Sequence, residues 1–96
     1  MSYLTVVATV TAKQGFEEEV GQTLAKLIEP TLKEDGCINY DLHRSIENSA
    51  VYVFHENWES KIHLDKHLET EHIKTCQASL DGKTESTELF LLNKVT

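Results

Sequence analysis

Cys37-Ile38-Asn39-Tyr40-Asp41-Leu42-His43-Arg44, a loop through Glu47-Asn48-Ser49, and then a second run from Val51 to Trp58 form the stretch that decides the fold. The first run alternates, with Ile38, Tyr40 and Leu42 on one side and Cys37, Asn39, Asp41 and His43 on the other. Period-two alternation is the signature of a strand. The Glu-Asn-Ser cluster is turn chemistry. The separation is short, so the two strands pair as a hairpin. On the second strand Tyr52, Phe54, Glu56 and Trp58 share a face.

Upstream, Tyr3 to Ala12 also alternates, with Leu4, Val6, Ala8, Val10 and Ala12 on one face. Gln14-Gly15 breaks it. Phe16, Val20, Leu24, Leu27, Ile28 and Leu32 then recur at spacings of three and four, an amphipathic helix. Glu17, Glu18 and Glu19 lie in its first turn, where the macrodipole favours anions. Pro30 is expected to bend or locally end it, and Asp35-Gly36 to stop it. Downstream, Ser60 caps a short helix to about Leu68. Thr70 caps another with Ile73, Cys76 and Leu80 inward, Asp81-Gly82 ends it, and Thr87 to Val95 is the last strand. The order β-α-β-β-α-α-β is a split β-α-β pattern: an α+β, ferredoxin-like antiparallel sheet with helices on one face. The bare face, read as carrying Tyr3, Val7, Leu89, Leu91 and Val95, predicts face-to-face association into a homodimeric α+β barrel.

Aromatics flanking a carboxylate can line a flat apolar pocket. Glu56, desolvated there, would have a raised pKa suited to a general base near neutral pH. Trp58, Phe54, Tyr52 and Tyr40 are the candidate substrate-binding walls. His67 and His72, at the junction of the two short helices, are candidate proton acceptors beside Glu56. The pocket is expected between the sheet and the short helices within each subunit. No metal is expected: His67 to His72 is not a helical ligand pair, and His63 with His67 lacks a third ligand.

Ninety-six residues make one domain, spanning 1–96. A net charge of −7, with lysines scattered singly and Arg44 the lone arginine, argues against nucleic acid and anionic membranes. No apolar run approaches the roughly 20 residues of a membrane span. The start Met1-Ser2-Tyr3-Leu4 does not read as a signal peptide, so a cytoplasmic location is expected. Cys37 and Cys76 are expected to be reduced and buried.

Three segments, in order, resemble antibiotic-biosynthesis-monooxygenase domains. They are Gly36-Cys37-Ile38-Asn39-Tyr40-Asp41-Leu42-His43-Arg44, Glu56-Asn57-Trp58-Glu59-Ser60 and His67-Leu68-Glu69-Thr70-Glu71-His72. The resemblance implies a small dimeric α+β barrel. In its quinol-monooxygenase-like branch it implies oxidation of a quinol or polyphenol-like aromatic with molecular oxygen, without metal, flavin or other cofactor. Relatives that degrade haem carry an Asn on the first strand, and Val6-Val7-Ala8-Thr9 has none. The alternatives are processing of a small phosphorylated signalling sugar, which needs cationic or helix-terminal phosphate ligands, and a non-catalytic stress-response module.

Overall fold

Each alternating run forms a strand and each three-four run a helix. The computed structural model describes residues 3–96. Its elements are β1 (Leu4–Ala12), α1 (Glu17–Ala25), α2 (Ile28–Leu32), β2 (Cys37–Arg44), β3 (Val51–Trp58), α3 (Lys61–Leu68), α4 (Glu71–Ser79) and β4 (Thr84–Leu92). The sheet runs β2-β3-β1-β4, antiparallel throughout, so the expected α+β fold holds. The core lies between this sheet and the helices, with Val6, Val10, Val20, Leu24, Phe54, Trp58 and Leu64 at its centre.

Several local expectations are refined or corrected. The first helix breaks at Lys26-Leu27, before Pro30. Proline's missing N–H and its ring act on the carbonyl four residues back, which is that of Lys26. The N–H groups of Lys26 and Leu27 tighten onto Thr23 and Leu24, three residues back. The inward stripe therefore continues through Thr31, fully buried, and Leu32 is exposed. A bulge at Ile38 shifts the register, pairing Cys37 with Trp58 and Asn39 with Asn57. Cys37 thus packs against the core, half-buried rather than buried, and Ile38 turns outward. Cys76 is buried, and both thiols are free.

The last strand starts earlier and ends earlier than expected, leaving Val95 outside it. Its faces are also exchanged. Leu89 pairs with Ala8 and Leu91 with Val6, so both share the helix side. Phe90 and Leu92, opposite Val7 and Thr5, share the bare side. The bare face also carries a polar chain across three strands. Thr5 Oγ1 donates to Asn57 at 2.6 Å, and Asn57 donates to Asn39 at 2.7 Å.

Gly36 joins α2 to β2 with φ +83, and a Cβ there would overlap the His63 ring. Only glycine meets both demands.

Candidate active site

The inward face of β3 builds the floor. Tyr52, Phe54, Glu56 and Trp58 are all buried. Glu56 is a carboxyl in an apolar layer, so burial raises its pKa from 4.5 to about 7, and the charge of Glu34 adds to the rise. The Trp58 indole N–H donates to Glu56 Oε1 at 2.8 Å and opposes that rise. One oxygen is thereby tied down, and the other has no hydrogen-bond partner among the described residues.

The helices supply the roof. Ser60 and Thr70 accept from the N–H groups of His63 and Ile73, capping α3 and α4 and fixing their starting points. His67 ends up 2 % exposed near the end of α3, its ring 4.7 Å from Trp58 and 5.3 Å from Tyr40. His67 Nδ1 and His72 Nε2 each lie 2.7 Å from the same oxygen, Glu34 Oε2. Burial lowers the pKa of His67, with the Glu34 carboxylate resisting. Burial also raises the Tyr40 phenol well above its usual range.

Between floor and roof lies a cavity of about 220 Å³. The sheet contributes Ala8, Val10, Tyr40, Phe54, Glu56, Thr87 and Leu89, and the helices Leu24, Leu27, Leu64, His67, Ile73, Cys76 and Gln77 among others. Four of the seven candidate residues, Tyr40, Phe54, Glu56 and His67, therefore meet at one space. The other three do not line it. Trp58 is fully buried behind Glu56 and His67, acting on the cavity only through its hydrogen bond and ring contact. Tyr52 lies toward α1, its hydroxyl donating to the Glu17 carbonyl and its ring under Arg44. His72 lines two grooves on the outer side of the helices. Arg44 pairs with Glu18 at 2.6 Å and is not among the lining residues.

Glu34, in the α2–β2 loop, was not among the sequence candidates, yet it joins both histidines. A signal existed: Glu34-Asp35 follows a helix C-terminus, where the macrodipole disfavours acids, so an acid there wants a cation or donor partner. Glu34, His67 and His72 also form the one set of metal-ligand type among the described residues, their ligand atoms within 4.8 Å of one another. Two imidazoles and a carboxylate suit a divalent cation. The free nitrogens of metal-bound histidines are ordinarily held by further partners. His67 Nε2 and His72 Nδ1 have no such hydrogen bond among the described residues. The cluster is already balanced by its own N–H groups.

The comparisons with known proteins agree with this architecture. Residues 3–79 match the family model "Antibiotic biosynthesis monooxygenase". The chain is 32 % identical over 89 residues to "Probable quinol monooxygenase YgiN" of Escherichia coli K12, covering 82 % of this chain and 86 % of that one. Its fold superposes on PA3566 from Pseudomonas aeruginosa with a TM-score of 0.95 at 28 % identity, covering 100 % and 97 % of the two chains. On Rv0793 from Mycobacterium tuberculosis the score is 0.90 at 25 % identity, covering 98 % and 96 %. A family match across most of the chain, together with the matching sheet order and helices, places this protein in the antibiotic biosynthesis monooxygenase family.

Proposed function

We propose that the protein is a cofactor-independent monooxygenase that oxidises a single-ring quinol or related polyphenol with molecular oxygen, as a homodimer joined through the bare sheet face. The observation that carries this reading is Glu56, a buried carboxyl with a pKa near 7 in the wall of an apolar cavity. A cavity of about 150 Å³ accepts benzene, so 220 Å³ suits one substituted ring. The stacked Tyr40–Phe54 pair, at 4.8 Å between centroids, gives that ring a flat aromatic surface. The name of the Escherichia coli relative, "Probable quinol monooxygenase YgiN", points to the same substrate class.

The chemistry balances without a cofactor. Glu56 takes a phenolic proton, leaving an electron-rich anion. The anion passes one electron to oxygen, and the semiquinone and superoxide combine at a ring carbon to give a peroxide. Glu56 returns its proton to that peroxide. Loss of the ring C–H proton drives the C–H electron pair into a new C=O bond as the O–O bond breaks, and hydroxide leaves to become water. The sum is quinol plus oxygen giving hydroxyquinone plus water. The protein holds the radical pair in an apolar cavity until it recombines.

The test is oxygen uptake by metal-free protein across a panel of quinols. Glu56→Gln keeps the shape and an oxygen for the Trp58 N–H but removes the base. We expect it to lower kcat/KM by about 100-fold or more. Equal uptake by the two proteins overturns the reading.

A further inference from the structure

We propose that Glu34 is a positioning residue that, together with His72, sets His67 as a second proton acceptor of the cavity, the one that takes the ring proton when the peroxide O–O bond breaks. The ring-proton role rests on the quinol reading; the positioning of His67 does not. A carboxylate oxygen only accepts hydrogen bonds. With Glu34 Oε2 at 2.7 Å from His67 Nδ1, the proton of neutral His67 must be on Nδ1, which leaves the lone pair on Nε2. Nε2 has no hydrogen-bond partner among the described residues, and His67 is one of the residues that line the cavity. Burial keeps this imidazole neutral, in the form that can accept a proton. His72 donates to the same Oε2, holding the carboxylate in place from the side of the outer grooves.

The reaction calls for two groups on opposite walls. The peroxide-bearing carbon is tetrahedral, so its C–H and its O–O bond lie on opposite faces of the ring. Glu56 stands on β3 and His67 on α3, and the cavity lies between sheet and helices. A ring lying between those layers presents its peroxide to the carboxyl and its C–H to the imidazole. His67 takes the proton, the C–H pair becomes the C=O bond, and the departing hydroxide regains that proton as water.

The test has two arms. Imidazole nitrogen shifts measured by NMR on the substrate-free protein report the tautomer. We expect the Nδ1–H form of His67 in the wild type and in Glu34→Gln, whose carbonyl still accepts, and a shift to the Nε2–H form in Glu34→Ala. The Nε2–H form in the wild type, or an unchanged tautomer in folded Glu34→Ala, overturns the positioning. In the second arm, Glu34→Ala should lower kcat roughly tenfold to a hundredfold with little change in KM. Ring-deuterated quinol should then show a primary isotope effect larger than in the wild type. An unchanged isotope effect and kcat overturn the ring-proton role. A wild type that consumes no oxygen with any quinol overturns the functional reading and the ring-proton role together, while the tautomer arm decides the positioning by itself.

Discussion

Burial of Glu56, opposed by an indole N–H, raises its pKa to about 7. As the proposed base, Glu56 would work only when ionised. Oxygen uptake, corrected for the background of the Glu56→Gln protein, should therefore rise through a midpoint near pH 7 and level off above it. A flat profile between pH 5.5 and 8.5 would contradict this, since the ionised fraction changes roughly 30-fold across that range. Folding responds with the opposite sign. The folded pKa is raised from 4.5 to about 7, so this group's contribution is fully favourable below about pH 4.5. It is lost as pH rises through about 7, because the unfolded chain ionises first. The loss is on the order of 3 kcal/mol, taking about 1.4 kcal/mol per pKa unit. Glu56→Gln should abolish this decline, and unfolding in urea at pH 5 and pH 8 measures it. At this scale the sequence was informative where a residue's face follows from one strand's alternation. Glu56 between Phe54 and Trp58 could be read because period two is local. The carboxylate that joins the two histidines lies 33 and 38 residues away from them, and no short-range pattern links such partners.

Elements were legible wherever periodicity and caps agreed, and their boundaries were not where tertiary packing decides. Both short helices start at the residues that cap them, Ser60 and Thr70, because hydroxyl capping is a local interaction. The break at Lys26-Leu27 and the bulge at Ile38 were missed for different reasons. Proline exerts its effect one turn before itself, so the position of Pro30 marks the wrong residue. A bulge adds a residue without changing composition, and it reverses the faces of Cys37 and Ile38 at a stroke. The faces of β4 were reversed because every residue from Leu89 to Leu92 is apolar, which leaves alternation nothing to report. The α3 cap has a measurable role. Ser60 Oγ also meets His63 Nδ1 at 2.7 Å, and that ring packs where a side chain at Gly36 would stand. Ser60→Ala should therefore cost about 1 kcal/mol, a fall of about 4–8 °C in Tm for a domain of this size, whereas Ser60→Asp should retain most of the stability. Equal melting temperatures for Ser60→Ala and wild type would show that the cap contributes nothing.

The whole molecule is a slab of 43 × 31 × 18 Å. Its thin dimension is the depth of one sheet and one helical layer, so the other face of the sheet has no cover among the described residues. At about 4.8 Å between strands and 3.3 Å per residue, four strands of eight residues present roughly 500 Å² in projection. Side-chain relief brings that towards the roughly 800 Å² per partner of a standard interface. The chemistry of the face is divided. The β2 side carries the Asn39–Asn57–Thr5 hydrogen bonds, while the β4 side carries Val7, Phe90 and Leu92. Phe90 is 45 % exposed and Leu92 42 %, on an edge strand whose backbone is paired only on the β1 side. Large apolar side chains grouped on a flat face favour association, and the polar chain beside them is positioned to set its register. Phe90→Glu puts a charge at the centre of the apolar half without touching the cavity, which Phe90 does not line. Light scattering at micromolar concentration should show a dimer for the wild type and a monomer for Phe90→Glu, with unchanged far-UV circular dichroism. Leu89→Glu serves as the comparison. Leu89 is equally exposed but lies on the helix side and lines the cavity, so this variant should stay dimeric and lose oxygen uptake instead. If Leu89→Glu separated the subunits and Phe90→Glu did not, the association surface would be the helix side of β4 rather than the bare face of the sheet.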